Sequence, residues 1–284
     1  MTLPGDGAVR RLSRAEILHL TPYEDVNAIL ADLADGVVSI LGDALAGLYL
    51  TGSLTYGDFD RGSSDIDFLA VLQRRMRSDE RNRVAALHAG VAERHPVWAE
   101  RIEGSYITED MLDSIEPPAT PRPYINGGAF WDPDPRYGNE WLINLYALRD
   151  CGVALAGPEP VELVPMVDID DVRAASRRDL LEEWLPTVDD PEYFRSSHIQ
   201  AYVTLTLCRI MHRDVHDRVV SKRVAARWVR ETVPEEWVAS LVERAERWQH
   251  GEEMDAADEV RQLILFTRDW MERNGHYDVV GGRG

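Results

Sequence analysis

The sequence predicts an α+β N-terminal domain followed by an all-α C-terminal domain. Three observations carry this. Short apolar runs bounded by Gly, Asp and Ser lie between residues 46 and 107, which is how strands read. From Glu140 onward apolar residues recur at helical spacing almost to the end. The pattern changes within 140–165, where Gly157-Pro158 and Pro160 interrupt the periodicity. The domains are placed at 1–155 and 156–284.

Residues 1–22 read as a polar lead-in. Val26, Ile29, Leu30, Leu33, Val37, Val38 and Leu41 then fall on one face of a helix over Tyr23 to Leu41, ended by Gly42 and Asp43. Ala46 to Leu50 is a first strand, and residues 54–64 are a polar loop. Asp65 to Leu72 is a second strand. Ser78 to Arg94 is a helix with Val84, Leu87, His88 and Val91 on one stripe. Val97 to Ile107 is a third strand. Residues 113–140, rich in Pro, Gly and scattered aromatics, form an irregular segment that covers or links.

A helix carrying Asn144, Leu145 and Leu148 stops at Gly152, and Val153 to Pro165 is an extended linker. Asp168 to Leu185 and Pro191 to His216 are helices. Ser221 is an N-cap for Lys222 to Thr232. Pro234 suits the first turn of a helix that ends at Gly251. Met254 to Asn274 is the last helix, stopped by Gly275.

The 31 Lys and Arg stand against 50 Asp and Glu, a net charge of −19. A surface that acidic repels a polyphosphate, so extended nucleic-acid binding is excluded; it concentrates small cations instead. Cys151 and Cys208 make no disulfide framework and read as two reduced, buried thiols. The N-terminus lacks an apolar h-region, and no run of about 18 apolar residues could span a membrane. A cytoplasmic monomer is expected.

The stretch that carries chemistry is Gly52-Ser53, eleven residues, then Asp65-Ile66-Asp67. Gly52 permits close backbone approach to a ligand. If Ser53 opens a helix, its N–H and hydroxyl face an anion. Asp65 and Asp67 are two apart on a strand, so both project from one face. Side by side, two carboxylates need a cation, and hard oxygen donors of this kind suit Mg²⁺, which takes one or two carboxylates plus substrate phosphates.

This stretch, within LTGSLTYGDFDRGSSDIDFLAVL at 50–72, resembles the nucleotidyltransferase fingerprint of the DNA polymerase β-like superfamily. LRDCGVALAGPEP at 148–160 is similar to the segment that joins the domains of its aminoglycoside nucleotidyltransferases, of the streptomycin/spectinomycin adenylyltransferase type. TLTLCRIMHRDVHDRVVSKRVAARWV at 204–229 is similar to their C-terminal helices. The resemblance implies a nucleotidyltransferase domain with a small mixed sheet flanked by helices, then a helical domain. It implies an ATP- and Mg²⁺-dependent transfer of AMP to a hydroxyl of a small polycationic antibiotic, with pyrophosphate released.

On that resemblance Asp65 and Asp67 hold Mg²⁺, and Ser53 and Ser64 bind phosphate oxygens. Glu103 is the base for the acceptor hydroxyl. Period 2 places Arg101, Glu103 and Ser105 on one strand face; Glu100 competes if the register differs, and Glu109 is more distant. Arg209 and Lys222 match an Arg and a Lys that contact the triphosphate, or else pair with helix carboxylates. Tyr202 and Trp228, nearby, read as core aromatics rather than as groups that stack on the base. Trp131, beside Asp132 and Asp134, is nearest in position to a Trp that reads the acceptor. Where the family has a carboxylate before the Arg209 position, this chain has Ser197 and His198. His198 is then either an acceptor contact or a helix-surface histidine. Asp189, Asp190 and Glu192 read as an acidic first turn of that helix. Two other readings keep the fold: transfer to another acceptor, such as a protein side chain or metabolite, and a non-catalytic, antitoxin-like nucleotide binder.

Overall fold

The computed structural model describes residues 10–131, 137–216 and 218–274. The two periodicities in the sequence produce two units, each with its own apolar core. One runs up to Phe59 and takes in Ser64–Tyr137 and Asn144–Met166. The other holds Asp60–Ser63, Gly138–Ile143 and the chain from Val167 on.

In the first unit a single turn, α1 (Arg14–Ile17), is closed by a capping box between Ser13 and Glu16. Helix α2 (Glu24–Leu41) begins one residue later than expected and buries Val26, Ile29, Leu30, Leu33, Val37 and Leu41. Burying each such side chain is worth about 1.5–3 kcal/mol. Strands β1 (Leu45–Thr51) and β2 (Ile66–Leu72) follow, then α3 (Ser78–Arg94), β3 (Ile102–Thr108), β4 (Tyr124–Asn126) and β5 (Ala129–Trp131). Helix α4 (Glu140–Cys151), which belongs to this unit from Asn144 on, β6 (Val153–Ala156) and the one-turn α5 (Pro160–Leu163) complete the series.

The sheet order is β5-β4-β3-β2-β1-β6. β2 and β3 are parallel, and the other pairings are antiparallel. Parallel neighbours need a crossover, which α3 supplies. The sheet is therefore mixed and flanked by helices, as expected.

It also departs from expectation. The third strand starts at Ile102, not Val97, because Pro96–Trp98 forms a 3₁₀ turn. Part of the irregular segment is a hairpin, β4–β5, turned at Gly127 and Gly128, whose φ values of 56° and 76° suit a two-residue hairpin turn. The supposed linker contains β6, which pairs with β1. Cys208 is buried, but Cys151 is only partly so; its thiol contacts the Ala147 carbonyl and Thr55.

The second unit is helical: α6 (Ile169–Asp179), α7 (Ser197–Val215), α8 (Lys222–Thr232), α9 (Glu236–Arg247) and α10 (Ala257–Asn274). α7 packs against the other four. Its Leu207, Ile210 and Met211 meet Ala226, Val229, Leu241 and Ile264 in the core. Ser221 caps α8 as expected, its hydroxyl accepting from Val224 N–H at 3.3 Å. The helix expected over 168–185 instead loosens into a π-turn at Leu180–Trp184 and a 3₁₀ turn at Leu185–Asp189, where Pro186 lacks an N–H. The helix expected from Pro191 starts at Ser197, after a kink at Phe194. Pro234 precedes the N-cap Glu235 and lies outside α9, which ends at Arg247 rather than Gly251. Gly275 lies outside the described residues. Asp60 belongs to this unit, accepting from Arg223 at 2.6 Å and from Gly62 N–H at 2.8 Å. No helix among the described residues is long and apolar enough to cross a membrane.

Candidate active site

The site of the first unit is built where β1, β2 and β3 run side by side. β1 ends at Thr51, the register partner of Asp67. The chain then turns through Gly52–Leu54, three residues of 3₁₀ helix. Ser53 therefore does not open a helix, and no helix dipole acts there. Gly52 has φ +69°, and a Cβ at this position would overlap the Asp67 carboxylate. Only glycine lets this turn lie so close to Asp67. The Ser53 hydroxyl is buried without a hydrogen-bond partner.

Across the next gap Asp67 is the register partner of Glu103. Partners on adjacent strands project from the same face, about 4.8 Å apart in the hydrogen-bonding direction. The opposite face is fixed by burial. Ile66, Phe68, Ala70, Ile102 and Tyr106 are in the core, whereas Asp67, Glu103 and Ser105 are half-buried. Glu100 precedes the strand and is exposed, and Glu109 follows it and is exposed.

Asp65 lies one residue before β2. Its carboxylate is 3.6 Å from Nε of Arg101, a guanidinium that is 10% exposed. Arg101 also donates to the carbonyl of Ser64 and lies 4.3 Å from the centroid of the Trp98 ring. Trp98 in turn donates its indole N–H to Asp25 at 2.8 Å. Sequence reasoning placed Arg101 on the face of Glu103 but missed this pairing. A cation one residue before a strand facing two acids was the available signal.

Trp131 sits on β5, 51% exposed, its ring stacked 6.3 Å from that of its register partner Tyr124. Asp132 and Asp134 lie outside the described residues. A second buried cation was not anticipated. Arg122 donates to the Ser105 hydroxyl at 3.2 Å and covers the Tyr137 ring at 3.4 Å.

Three candidate residues belong to the second unit. Arg209 is on α7, and its Nε is buried without a hydrogen-bond partner. Lys222 opens α8, its ammonium 4.7 Å from the Tyr202 ring centroid. Tyr202 is thus not a core aromatic; it is 37% exposed and presents its ring to a cation. Trp228 is partly buried, edge-on to His212, His216 and Trp270. His198 is exposed, but its ring lies parallel to that of Trp248 at 5.5 Å and 5.2 Å from that of His250. Asp189, Asp190 and Glu192 precede α7 and do not form its first turn. Asp190 accepts from Glu192 N–H at 3.0 Å within the preceding turns.

Among the described residues no group of three or more His, Cys, Asp or Glu is placed to hold a metal ion unaided. The donor set instead suits a hard cation shared with a ligand: two aspartates, a glycine cradle and an orphaned hydroxyl beside them. Mg²⁺ with phosphate oxygens has those requirements. The residues present fit the group. With a proton acceptor alongside at Glu103, the arrangement can support transfer of a phosphoryl-type group to a hydroxyl.

Comparison with known proteins shows what the chain is similar to. Residues 30–102 match the nucleotidyltransferase domain family, and 162–273 match the C-terminal domain of aminoglycoside adenylyltransferases. The chain is 25% identical over 251 residues to a spectinomycin 9-adenylyltransferase of Staphylococcus aureus, covering 83% of this chain and 91% of that one. It is 27% identical over 247 residues to the Campylobacter jejuni enzyme of that name, covering 83% and 90%. An aminoglycoside (3'') (9) adenylyltransferase of Escherichia coli is 26% identical over 269 residues, covering 86% and 92%. The crystal structure of spectinomycin adenyltransferase AAD(9) from Enterococcus faecialis, solved with ATP and spectinomycin, superposes with a TM-score of 0.68 at 20% identity. That match covers 86% of this chain and 98% of that one.

Proposed function

We propose a reaction for this chain from its family: it belongs to the aminoglycoside nucleotidyltransferases of the DNA polymerase β-like superfamily. It is a nucleotidyltransferase. The reaction we assign is transfer of AMP from ATP to a hydroxyl of an aminocyclitol or aminoglycoside of the spectinomycin or streptomycin class. The observation that carries it is the side-by-side placement of Asp67 and Glu103, next to the Gly52–Ser53 turn.

In this reading Asp65 and Asp67 hold Mg²⁺, and Ser53 and Ser64 bind phosphate oxygens. The Ser53 hydroxyl, buried and unpaired, supports this by having donor capacity to spend on an anion. When bound, Mg²⁺ neutralises charge on the triphosphate. Glu103 accepts the proton of the acceptor hydroxyl as its oxygen bonds the α-phosphorus. The bond from that phosphorus to the β-phosphate bridging oxygen breaks, and pyrophosphate leaves. Arg209 on α7 and Lys222 on α8, both in the helical unit, supply positive charge to the triphosphate. Trp131 and His198 are the acceptor contacts we assign. The names of the S. aureus and C. jejuni relatives favour spectinomycin. The absence of an acid at 197–198 also argues for an acceptor with less positive charge than streptomycin.

The test is incubation with Mg²⁺, ATP labelled at the α-phosphate, and each antibiotic. Label on the antibiotic, with unlabelled pyrophosphate, is the expected result. Label on protein instead assigns the chain to another acceptor. ATP bound without turnover on any acceptor returns it to the non-catalytic binders.

A further inference from the structure

The guanidinium of Arg101 is a buried cation beside the Asp65 carboxylate, and its placement follows from three successive contacts. Its side chain donates to the Ser64 carbonyl and lies 3.6 Å from the Asp65 carboxylate. Its backbone carbonyl accepts from Ile66 N–H at 2.8 Å. One residue thus grips positions 64, 65 and 66, the run that leads into Asp67. The grip is itself braced. Arg101 N–H donates to the Trp98 carbonyl at 2.9 Å, and the Trp98 ring backs the guanidinium at 4.3 Å. Trp98 is pinned to α2 through Asp25 and packs on Phe59, centroid to centroid 5.7 Å.

We propose that Arg101 is a positioning residue that acts as a resident countercharge for Asp65, preassembling the carboxylate pair before any divalent cation arrives. The proposal rests on the reading of Asp65 and Asp67 as the Mg²⁺-holding pair. Asp65, Asp67 and Arg101 together carry a net charge of −1 rather than the −2 of the pair alone. Repulsion between the two aspartates is offset while the site waits for substrate. The cost falls on metal affinity: a guanidinium this close weakens the pull of the pair on a free cation. Substantial cation binding then requires the negative charge of the nucleotide phosphates. The expected order is therefore cation and nucleotide together, with little cation held by the protein alone.

Mn²⁺ titration followed by electron paramagnetic resonance tests this, with and without a non-hydrolysable ATP analogue. Wild-type protein is expected to bind Mn²⁺ weakly alone and well with the analogue. Arg101→Met keeps the stem and removes the charge. It should bind Mn²⁺ about tenfold more tightly without nucleotide. Arg101→Lys keeps the charge and should stay near wild type in the nucleotide-free titration. Arg101→Gln is the second neutral variant should Arg101→Met fail to fold. Unchanged nucleotide-free affinity in a folded neutral variant overturns the proposal, as does failure of both neutral variants to fold, which would make Arg101 a purely structural residue. Asp67→Asn separates the two readings. If it loses Mn²⁺ binding in the presence of the analogue, the metal assignment stands whatever Arg101 does. If it does not, that assignment falls and the role of Arg101 falls with it.

Discussion

Asp67 on β2 and Glu103 on β3 are register partners in the one parallel strand pairing among the described residues. The α3 crossover fixes that register. A shift of one residue would turn either carboxylate into the core and bring Phe68 or Gly104 to the surface. Core packing and the chemistry of the site thus depend on the same alignment.

Replacing Asp67 by Asn keeps shape and removes charge. We expect transfer to fall by ~10²–10³-fold or more while the thermal midpoint stays close to that of wild type, because Asp67 is outside the apolar core. Steady-state rates and a melting curve on one preparation check this. A large drop in the melting temperature would mark Asp67 as structural.

Glu103→Gln retains the strand and removes the proposed proton acceptor. ATP affinity, read by calorimetry, should be near wild type, and the transfer rate should fall by ~10²–10⁴-fold. Full activity in this variant would move the base elsewhere, with Glu100 and Glu109, both exposed, next to be tested.

Gly52→Ala tests the cradle. The residue has φ +69°, and its Cβ would overlap the Asp67 carboxylate. The backbone strain alone costs about 1–2 kcal/mol, and displacement of Asp67 should lower transfer further. Denaturant unfolding and rate measurements should both show losses; a variant unchanged in both would mean that the turn relaxes freely.

His88 gives a pH dependence unrelated to catalysis. Burial pushes its pKa down to about 4, and its neighbours are Phe68, Phe130 and the Tyr106 hydroxyl, which is 2.8 Å from Nε2. The unfolded chain takes up a proton near the ordinary value of about 6.5, and the folded chain does not until about pH 4. Stability should therefore fall as pH drops through that window, by about 1.4 kcal/mol per unit from this group. Urea unfolding of wild type and His88→Leu at pH 7, 6 and 5 measures the difference. The variant is less stable throughout but should lose less on acidification; parallel losses would contradict this origin.

Much of this is legible in the sequence itself. The α2 stripe is long and regular enough to place the helix within one residue. The glycine-serine turn and the two aspartates announce themselves because few other jobs need those residues together. Where the reading failed, local signals pointed elsewhere. β6 is four residues next to Gly157 and Pro158, so the turn residues dominated. β4 and β5 are three residues each inside a proline-rich stretch. The pairing of Arg101 with Asp65 joins residues 36 apart, through a register that only the folded sheet defines. Tyr202 has the composition of a core aromatic and is shown to be a cation platform only by the position of Lys222.

The most direct measurement is the mass of the antibiotic after reaction. Purified protein, Mg²⁺, ATP and spectinomycin, with streptomycin in parallel, should yield a product heavier by one adenylyl group, and Glu103→Gln should yield none. Unmodified antibiotic across a panel of aminocyclitols and aminoglycosides, from protein that demonstrably binds ATP, would contradict the assigned reaction.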